Sequence, residues 1–386
     1  MINNMQWFAL LGREKSLVQA ELAVATHNTK VDFIESLAIG ANTPPIWDDL
    51  GGVIRAGEIT GQATDTTTLA QDAVKILADP PPTGKVTIGI SSANLSPLEL
   101  RNIGKELKKY YTQVHNKRPR IIFPQTGTIL NAGHIKGGKL LNKPNSEIFF
   151  IKYHNSWLIG VTTWQQDIPS YTQRDRDRPA RDARVGMLPP KLAQIMLNLG
   201  GITNTSHIHD PFCGTGVILT ETLLKQAYVS GSDISADMID ATRKNLNWFS
   251  SLHHTPQTNF EVFQADARTI QLPPSTTHII SEGYLGNPDL HNNSNQRLKD
   301  EASNLSPLYH NVFKNFLNFP KPLTIIFALP VWFTSDTQSP IHLPILDDLS
   351  DMGYTVEQFA PDNTTRLVYR RPHQTVGRAI IKLKKG

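Results

Sequence analysis

The chain holds a single cysteine, Cys213, in 386 residues. An internal disulfide framework and a cysteine-based zinc cluster are therefore excluded. Long apolar runs are missing too, and none approaches the roughly 18–20 residues that cross a bilayer. The N-terminal apolar piece WFALLG is too short for a signal segment and follows no basic stretch. The expectation is a cytoplasmic protein with no membrane contact. No internal repeat or low-complexity tract is visible, and no histidine spacing suits a metal. His207 and His209 flank one apolar strand and read as packing residues. What remains is an ordinary globular composition, 39% hydrophobic and 19% charged, at a length suited to about two domains.

The net charge of +4 is small, but its distribution is not even. Between Glu99 and Lys152 stand eleven Lys/Arg, among them Lys105, Lys108, Lys109, Lys117 and Arg118, against only Glu99, Glu106 and Glu147. Such an excess is the footprint of a polyanion binder, and a solvated face balanced from elsewhere is the alternative. Many of these residues fall on a predicted helix, SPLELRNIGKELKKYYTQVH. Ser96 and Pro97 suit its cap and first turn. Leu100, Ile103, Leu107 and Tyr111 share one face of it, and the lysines take the other. A strand at 6–12 with a helix from Ser16, and strands KVTIGISS, 120–124, 147–152 and 157–163, complete an α+β first half. The proline-rich DPPPTG at 79–84 reads as a turn or linker.

From residue 185 strands and helices alternate, the pattern of a parallel α/β sheet. The predicted order includes SHIH, the turn DPFCGTG, helix VILTETLLKQ, strand YVSGSDI, helix SADMIDATRKNLNWF and strand NFEVFQAD. THIIS, a helix at 307–318, LTIIFALP, a helix at 341–353, TVEQFA and a strand pair at 366–383 follow. The sketch is a doubly wound sheet with an antiparallel C-terminal strand pair. Gly214 and Gly216 turn a strand end into a helix start, where free N–H groups meet a ligand. Leu219 stands where a dinucleotide fingerprint has its third glycine. Asp210, Asp233 and Asp266 close three successive strands, so all three face the ligand crevice. Asp233 is placed for ribose hydroxyls and Asp266 for an adenine amino group, which points to an adenosine-containing cofactor.

At these residues the sequence resembles the class I S-adenosylmethionine-dependent methyltransferases, whose cofactor loop is commonly D-P-F-C-G-T-G. The segment YTQRDRDRPARDARVGMLPPKLAQIMLNLGG at 171–201 is similar to the signature preceding that loop in tRNA guanosine-N2 methyltransferases of the guanosine-10 type. Arg174, Asp175, Arg178, Pro179, Arg181, Asp182, Gly186 to Lys191 and Gln194 carry it. The resemblance implies S-adenosyl-L-methionine as cofactor, held by Asp210, Pro211, Phe212, Gly214, Gly216, Asp233, Ile234, Asp266 and Ala267. Cys213 then packs beneath the cofactor rather than attacking a base. It also implies a Rossmann-like methyltransferase domain over 169–386, after an α+β region over 1–168 with a THUMP-like RNA-binding module. The partner is RNA, expected to be tRNA, with Arg174, Arg178 and Arg181 joining the basic contacts. A monomer is the default. The requirement for a small activator subunit, the nucleotide and the number of methyl transfers stay open.

Amine-methylating enzymes usually end the fourth strand with D/N-P-P-Y/F. An exocyclic amine delocalises its lone pair into the ring and attacks poorly. A side-chain acceptor and a backbone carbonyl, bonding its two N–H groups, localise that pair, and an aromatic stacks on the extruded base. Here the strand ends in SEGYLG, with neither proline. One register puts Glu282 at the acid, with Tyr284 beside the base; the other keeps Tyr284 at the aromatic and leaves Ser281 at the acid. The first is preferred, making Glu282 and Tyr284 the expected catalytic pair. Three readings stand: an RNA guanine-N2 methyltransferase, a methyltransferase for another base or for DNA, and a non-catalytic cofactor-binding RNA-binding protein.

Overall fold

The computed structural model describes residues 6–27, 29–77, 84–181, 187–253, 260–287, 294–333, 340–372 and 374–386. Asp182 and Gly186 of the Arg/Asp-rich segment and most of DPPPTG lie outside them. The chain divides into two units. One comprises Met1–Lys15, Thr26–Asp48 and Val53–Gln166, the other Ser16–Ala25, Asp49–Gly52 and Asp167–Gly386.

In the first unit, β1 (Trp7–Leu11), β2 (Val31–Ile34), β3 (Leu37–Gly40), β4 (Val53–Ala63), β5 (Thr87–Ser92), β6 (Arg120–Ile122), β7 (Ser146–Tyr153) and β8 (Ser156–Gln165) make one sheet of order β2-β3-β1-β4-β8-β7-β5-β6. Parallel pairing joins β5 to β6 and β7; the remaining pairs are antiparallel. Of its helices, α2 spans Leu69–Ile76, α3 Pro97–His115 and α4 Ala132–Gly138, while α1 (Lys15–Ala25) falls in the second unit after its first residue. The sequence missed β2, β3, β4, α2 and α4. Helix α3 starts where the residues dictate: Ser96 and Glu99 form a reciprocal capping box and Pro97 occupies the first turn. Leu100, Ile103, Leu107 and Tyr111 are buried, while Arg101, Lys105 and Lys109 are exposed and Lys108 is half-buried. Lys117 is half-buried and Arg118 exposed just beyond.

A fully buried carboxylate ties four strands of this sheet. Glu147 on β7 accepts from Arg55 Nη1 of β4 at 2.8 Å, Ser91 Oγ of β5 at 2.5 Å and Thr162 Oγ1 of β8 at 2.5 Å. Burial pushes its carboxyl up, against the opposing pull of Arg55 and the two hydroxyls.

The second unit adds α5 (Ile168–Arg176), α6 (Pro190–Leu199), β9 (His207–Asp210), α7 (Val217–Leu224), β10 (Tyr228–Asp233), α8 (Ala236–His253), β11 (Phe260–Gln264), β12 (His278–Glu282), α9 (Asn295–Leu317), β13 (Leu323–Trp332), β14 (Ile341–His342), α10 (Ile345–Asp348), β15 (Thr355–Glu357), β16 (Leu367–Tyr369) and β17 (Val376–Lys385). Its main order is β11-β10-β9-β12-β13-β17-β15, with β14 on β13 and β16 on β17. The pairs from β11 through β13 are parallel and β17 runs antiparallel to its neighbours. The strand order reverses at β9, which opens a crevice at the carboxyl ends of β9 and its neighbours. Two expected helices differ. α9 begins at Asn295, with Pro307 inside it rather than at its start, because Ser294 caps the earlier turn. The expected helix at 341–353 is a two-residue strand and a one-turn helix, since Ile341 and His342 pair with β13.

Helix α1 buries Leu17 and Ala20 among the residues of α6 and α7. Its Glu21, fully buried, accepts from the N–H groups of Gly51 and Gly52 and from Asn198 Nδ2 at 2.6–2.9 Å. Removing one partner of a buried ion pair leaves an uncompensated charge. Arg55→Met is therefore expected to destabilise the first unit by about 3–5 kcal/mol, read as a lowered denaturant midpoint.

Candidate active site

At the carboxyl edge of the second sheet lies a cavity of about 610 Å³, lined by Asp210, Asp233, Asp266, Glu282 and Tyr284 among others. The turn after β9 builds its floor. Gly214 and Gly216 hold φ of +51° and +82°, in the left-handed region that costs other residues strain, and α7 opens straight from Gly216. Pro211, Phe212, Gly214, Ile234 and Ala267 all line the cavity; Ile234 is exposed. Gly216 supports the loop from one residue further on, its backbone N–H donating to Cys213 O. Cys213 is buried, its Sγ 3.8 Å from Thr242 Oγ1, and burial pushes the thiol far up. It packs at the cavity wall.

The acids sit in different settings. Asp210 is 2% exposed and accepts at one oxygen from Ser281 Oγ (2.6 Å) and the Phe212 N–H (3.1 Å). Burial, with the carboxylates of Asp233 and Glu282 nearby, pushes it up to about 7. Asp233 accepts one backbone N–H on each oxygen, from Ser235 (2.9 Å) and Gly214 (3.1 Å), which leaves lone pairs for ribose hydroxyls. Asp266 also lines the cavity, and Arg268, missed in the sequence, engages it through its backbone N–H, Nε and Nη2 at 2.5–3.0 Å. Those contacts hold the carboxyl below its usual range. Three N–H donors on about four lone-pair sites leave room for one further donor such as an adenine amino group. Asp210 and Asp233, which have no cationic side-chain partner at hydrogen-bond distance among the described residues, suit a ligand with a cationic group and ribose hydroxyls. The residues thus fit the expected sulfonium cofactor.

The end of β12 carries the remaining chemistry. Ser281 turns toward Asp210, while Glu282, whose side chain is 17% exposed, pairs through Oε1 with Arg378 Nε of β17. Burial pushes the Glu282 carboxyl up, and the guanidinium groups of Arg378 and Arg371 oppose the shift. Without prolines, the turn is pinned by α9 instead. Tyr309 Oη donates to Tyr284 O at 2.5 Å, and the Asn287 N–H donates to Glu301 Oε1 at 3.0 Å. Gly283 is required there, because a Cβ would stand 2.5 Å from Tyr309 Oη and 2.9 Å from the Phe327 ring. Tyr284 stays 47% exposed at the cavity.

The Arg/Asp-rich segment holds this site together rather than presenting charge. Arg174 is a correction to the expected RNA contacts: it is 6% exposed and pairs with Glu221 of α7 at 2.7 Å, locking α5 to the helix that starts at the cofactor loop. Arg178 is buried as well, its Nη2 2.9 Å from Met187 Sδ. A charge buried in this way has no face to offer a phosphate. Arg181 is exposed. Asn245 clasps the same segment to the loop, donating to Ala180 O and Thr215 O and accepting the Ala180 N–H. His209 is buried between Ser230 and Ser232 and His207 stacks on Tyr228, both as packing residues. Among the described residues no cluster of metal ligands occurs, and no helix is long and apolar enough to cross a membrane.

Known proteins agree with this architecture. Residues 178–302 match the RMKL-like methyltransferase domain. The tRNA (guanine(10)-N2)-dimethyltransferase of Methanothermobacter thermautotrophicus is 41% identical over 101 residues, 26% of this chain and 28% of that protein. The enzyme of the same name from Methanocaldococcus jannaschii is 32% identical over 112 residues, 29% of this chain and 32% of that one. The matched stretch thus spans about a third or less of these two relatives. Among solved structures, TrmN from Thermus thermophilus superposes with a TM-score of 0.54 over 99% of this chain and 100% of its own, at 15% identity, which is a likeness of fold.

Tyr309→Phe, which deletes the bond to Tyr284 O, is expected to cost about 1 kcal/mol, and Gly283→Ala about 1–3 kcal/mol, both measured by denaturant unfolding. The second unit, with its β11-β10-β9-β12-β13-β17-β15 sheet and antiparallel β17, has the class I methyltransferase fold, and residues 178–302 within it are similar to the RMKL-like methyltransferase domain.

Proposed function

We propose that this chain is an S-adenosylmethionine-dependent RNA methyltransferase that methylates the exocyclic N2 amine of a guanosine in tRNA. One observation carries the reading: Glu282, an acid at the end of β12, lines the same cavity as Asp210 and Asp233. An amine acceptor and a cofactor pocket therefore share one crevice. When bound, the cofactor supplies an electrophilic methyl group on a sulfonium. Asp233 would hold its ribose, Phe212, Ile234 and Ala267 would offer apolar contact, and Asp210 would set a negative charge near its cationic end. Glu282 takes a hydrogen bond and then the proton of the amine, while Tyr284 covers the base. Relatives named for N2 methylation of guanosine 10 in tRNA favour that amine over others.

Residues 1–168 would form the RNA-binding half, with a THUMP-like module, and 169–386 the catalytic half. The exposed Lys105, Lys109 and Arg118, with Lys108 and Lys117 beside them, would contact phosphates and position the RNA without reading sequence. A cytoplasmic monomer is consistent with this role. A second reading, a cofactor-binding RNA-binding protein without turnover, draws on the missing prolines and on the hold of Arg378 on Glu282.

Nucleoside analysis of total tRNA from a deletion strain separates the readings. Loss of N2-methylguanosine supports the first, loss of another methylated base points to a different target, and an unchanged profile supports the second. In vitro, Glu282→Gln is expected to keep cofactor affinity and lose most methyl transfer to a tRNA transcript. Asp233→Ala is expected to weaken cofactor binding by about 10–100-fold, the worth of charge-assisted hydrogen bonds, as measured by calorimetry. Because Asp210 titrates near 7, its charge is gained as pH rises through that value. Affinity for the cationic cofactor should therefore rise between pH 6 and 7.5, by at most about tenfold per unit. Asp210→Asn, which still accepts from Ser281 and Phe212, should flatten that rise.

A further inference from the structure

A parallel ladder alternates its donors and acceptors in a fixed order. Glu282 lies opposite Ala328, and the Gly283 N–H donates to Ala328 O at 3.0 Å. In that register the Gly283 carbonyl falls opposite the backbone nitrogen of residue 330. Residue 330 is proline, which has no N–H to give. A proline within a paired strand removes one ladder bond, and here the missing bond faces the carbonyl next to the candidate acid. The next carbonyl, of Tyr284, is already taken by Tyr309 Oη.

The strand on the other side of β13 supplies the second part. Pro330 is the register partner of Arg378 on β17. Arg378 is 3% exposed, its guanidinium lies 5.9 Å from the Tyr369 ring, and its Nε engages Glu282 Oε1. Glu282 Oε2 has no hydrogen-bond partner among the described residues, and the side chain lines the cavity.

We propose that Arg378 and Pro330 are positioning residues that turn Glu282 Oε2 and the Gly283 carbonyl into a pair of acceptors for the two N–H groups of a substrate amine. The proposal rests on the methyl-transfer reading and deepens it. An acid and an adjacent carbonyl are what amine activation requires, and neighbouring strands supply here what two prolines within the turn supply in the commoner motif. The charged and titratable groups facing Glu282 are Arg378 on β17, Arg371 in the connection between β16 and β17, Asp210 on β9 and Tyr309 on α9. The two arginines favour the ionised form, and Asp210 opposes it.

Two variants test the pair separately. In Arg378→Met, the Glu282 carboxyl, followed by carbon-13 NMR in glutamate-labelled protein and assigned with Glu282→Gln, should titrate at least about one pH unit higher. The acid limb of kcat/KM for tRNA methylation should move up with it, and Arg378→Lys should restore part of the shift. In Pro330→Ala the restored N–H can bond the Gly283 carbonyl, so kcat should fall about tenfold with KM and cofactor affinity little changed. A Glu282 titration that stays put in a folded Arg378→Met protein, or wild-type kcat in Pro330→Ala, overturns the assignment. If the wild-type protein transfers no methyl group to any RNA, the methyl-transfer reading fails and the acceptor role fails with it. The NMR arm needs no turnover and still decides whether Arg378 holds Glu282.

Discussion

The register of β12 between β9 and β13 governs the candidate site. Side chains alternate across a strand, so Ser281 faces Asp210 while Glu282 faces Arg378. A slip of one residue would exchange them, placing a hydroxyl where the acid stands and a second carboxylate against the buried Asp210. The apolar Ile279 and Ile280, both fully buried, oppose such a slip, and Gly283 opposes it again because nothing larger fits beside Tyr309 and Phe327. The ladder thus sets both the electrostatics of the cavity and the position of its catalytic candidate.

Around that ladder, three helices keep the crevice rigid from behind. α7 rises from the glycine turn and is held to α5 by Arg174 and Glu221. α8 reaches back through Asn245 to both the loop and the segment before it. α9 pins the turn after β12 through Tyr309 and Glu301. The Arg174–Glu221 and Asn245–Thr215 links join buried polar groups that would be costly to leave unpaired, so the cavity wall is specified by hydrogen bonds as well as by apolar packing. Burial, with the carboxylates of Asp233 and Glu282 nearby, raises Asp210, while Arg268 holds Asp266 below its usual range.

Much of this was legible in the chain. Asp210, Asp233 and Glu282 were placed at strand ends by alternating apolar runs and glycine breaks, and all three reach one cavity. Helix α3 and its two faces followed from a cap and a 3.6-residue period. Strand β4 was missed because Gly57, Gly61, Arg55 and Glu58 lower its β propensity, and its place in the sheet comes from partners on β1 and β8. Arg174 and Arg178 misled in the other direction. An Arg/Asp alternation reads as an exposed charged stretch, yet burial against Glu221 and Met187 turns both inward. Glu21 was passed over because its partners, Gly51, Gly52 and Asn198, carry no local signal.

By itself the sequence determined the elements that depend on neighbouring residues: the glycine turn, the acids that end strands, and the capped basic helix. Tertiary structure alone decided what depends on pairing between distant segments. Arg378 lies 96 residues from Glu282, and Pro330 matters only because β13 runs between β12 and β17. Periodicity reports which way a side chain turns within its own strand. Which oxygen is bound, which carbonyl is left without a donor, and which arginine is buried are set by the neighbouring strand or helix, whose identity no local pattern encodes.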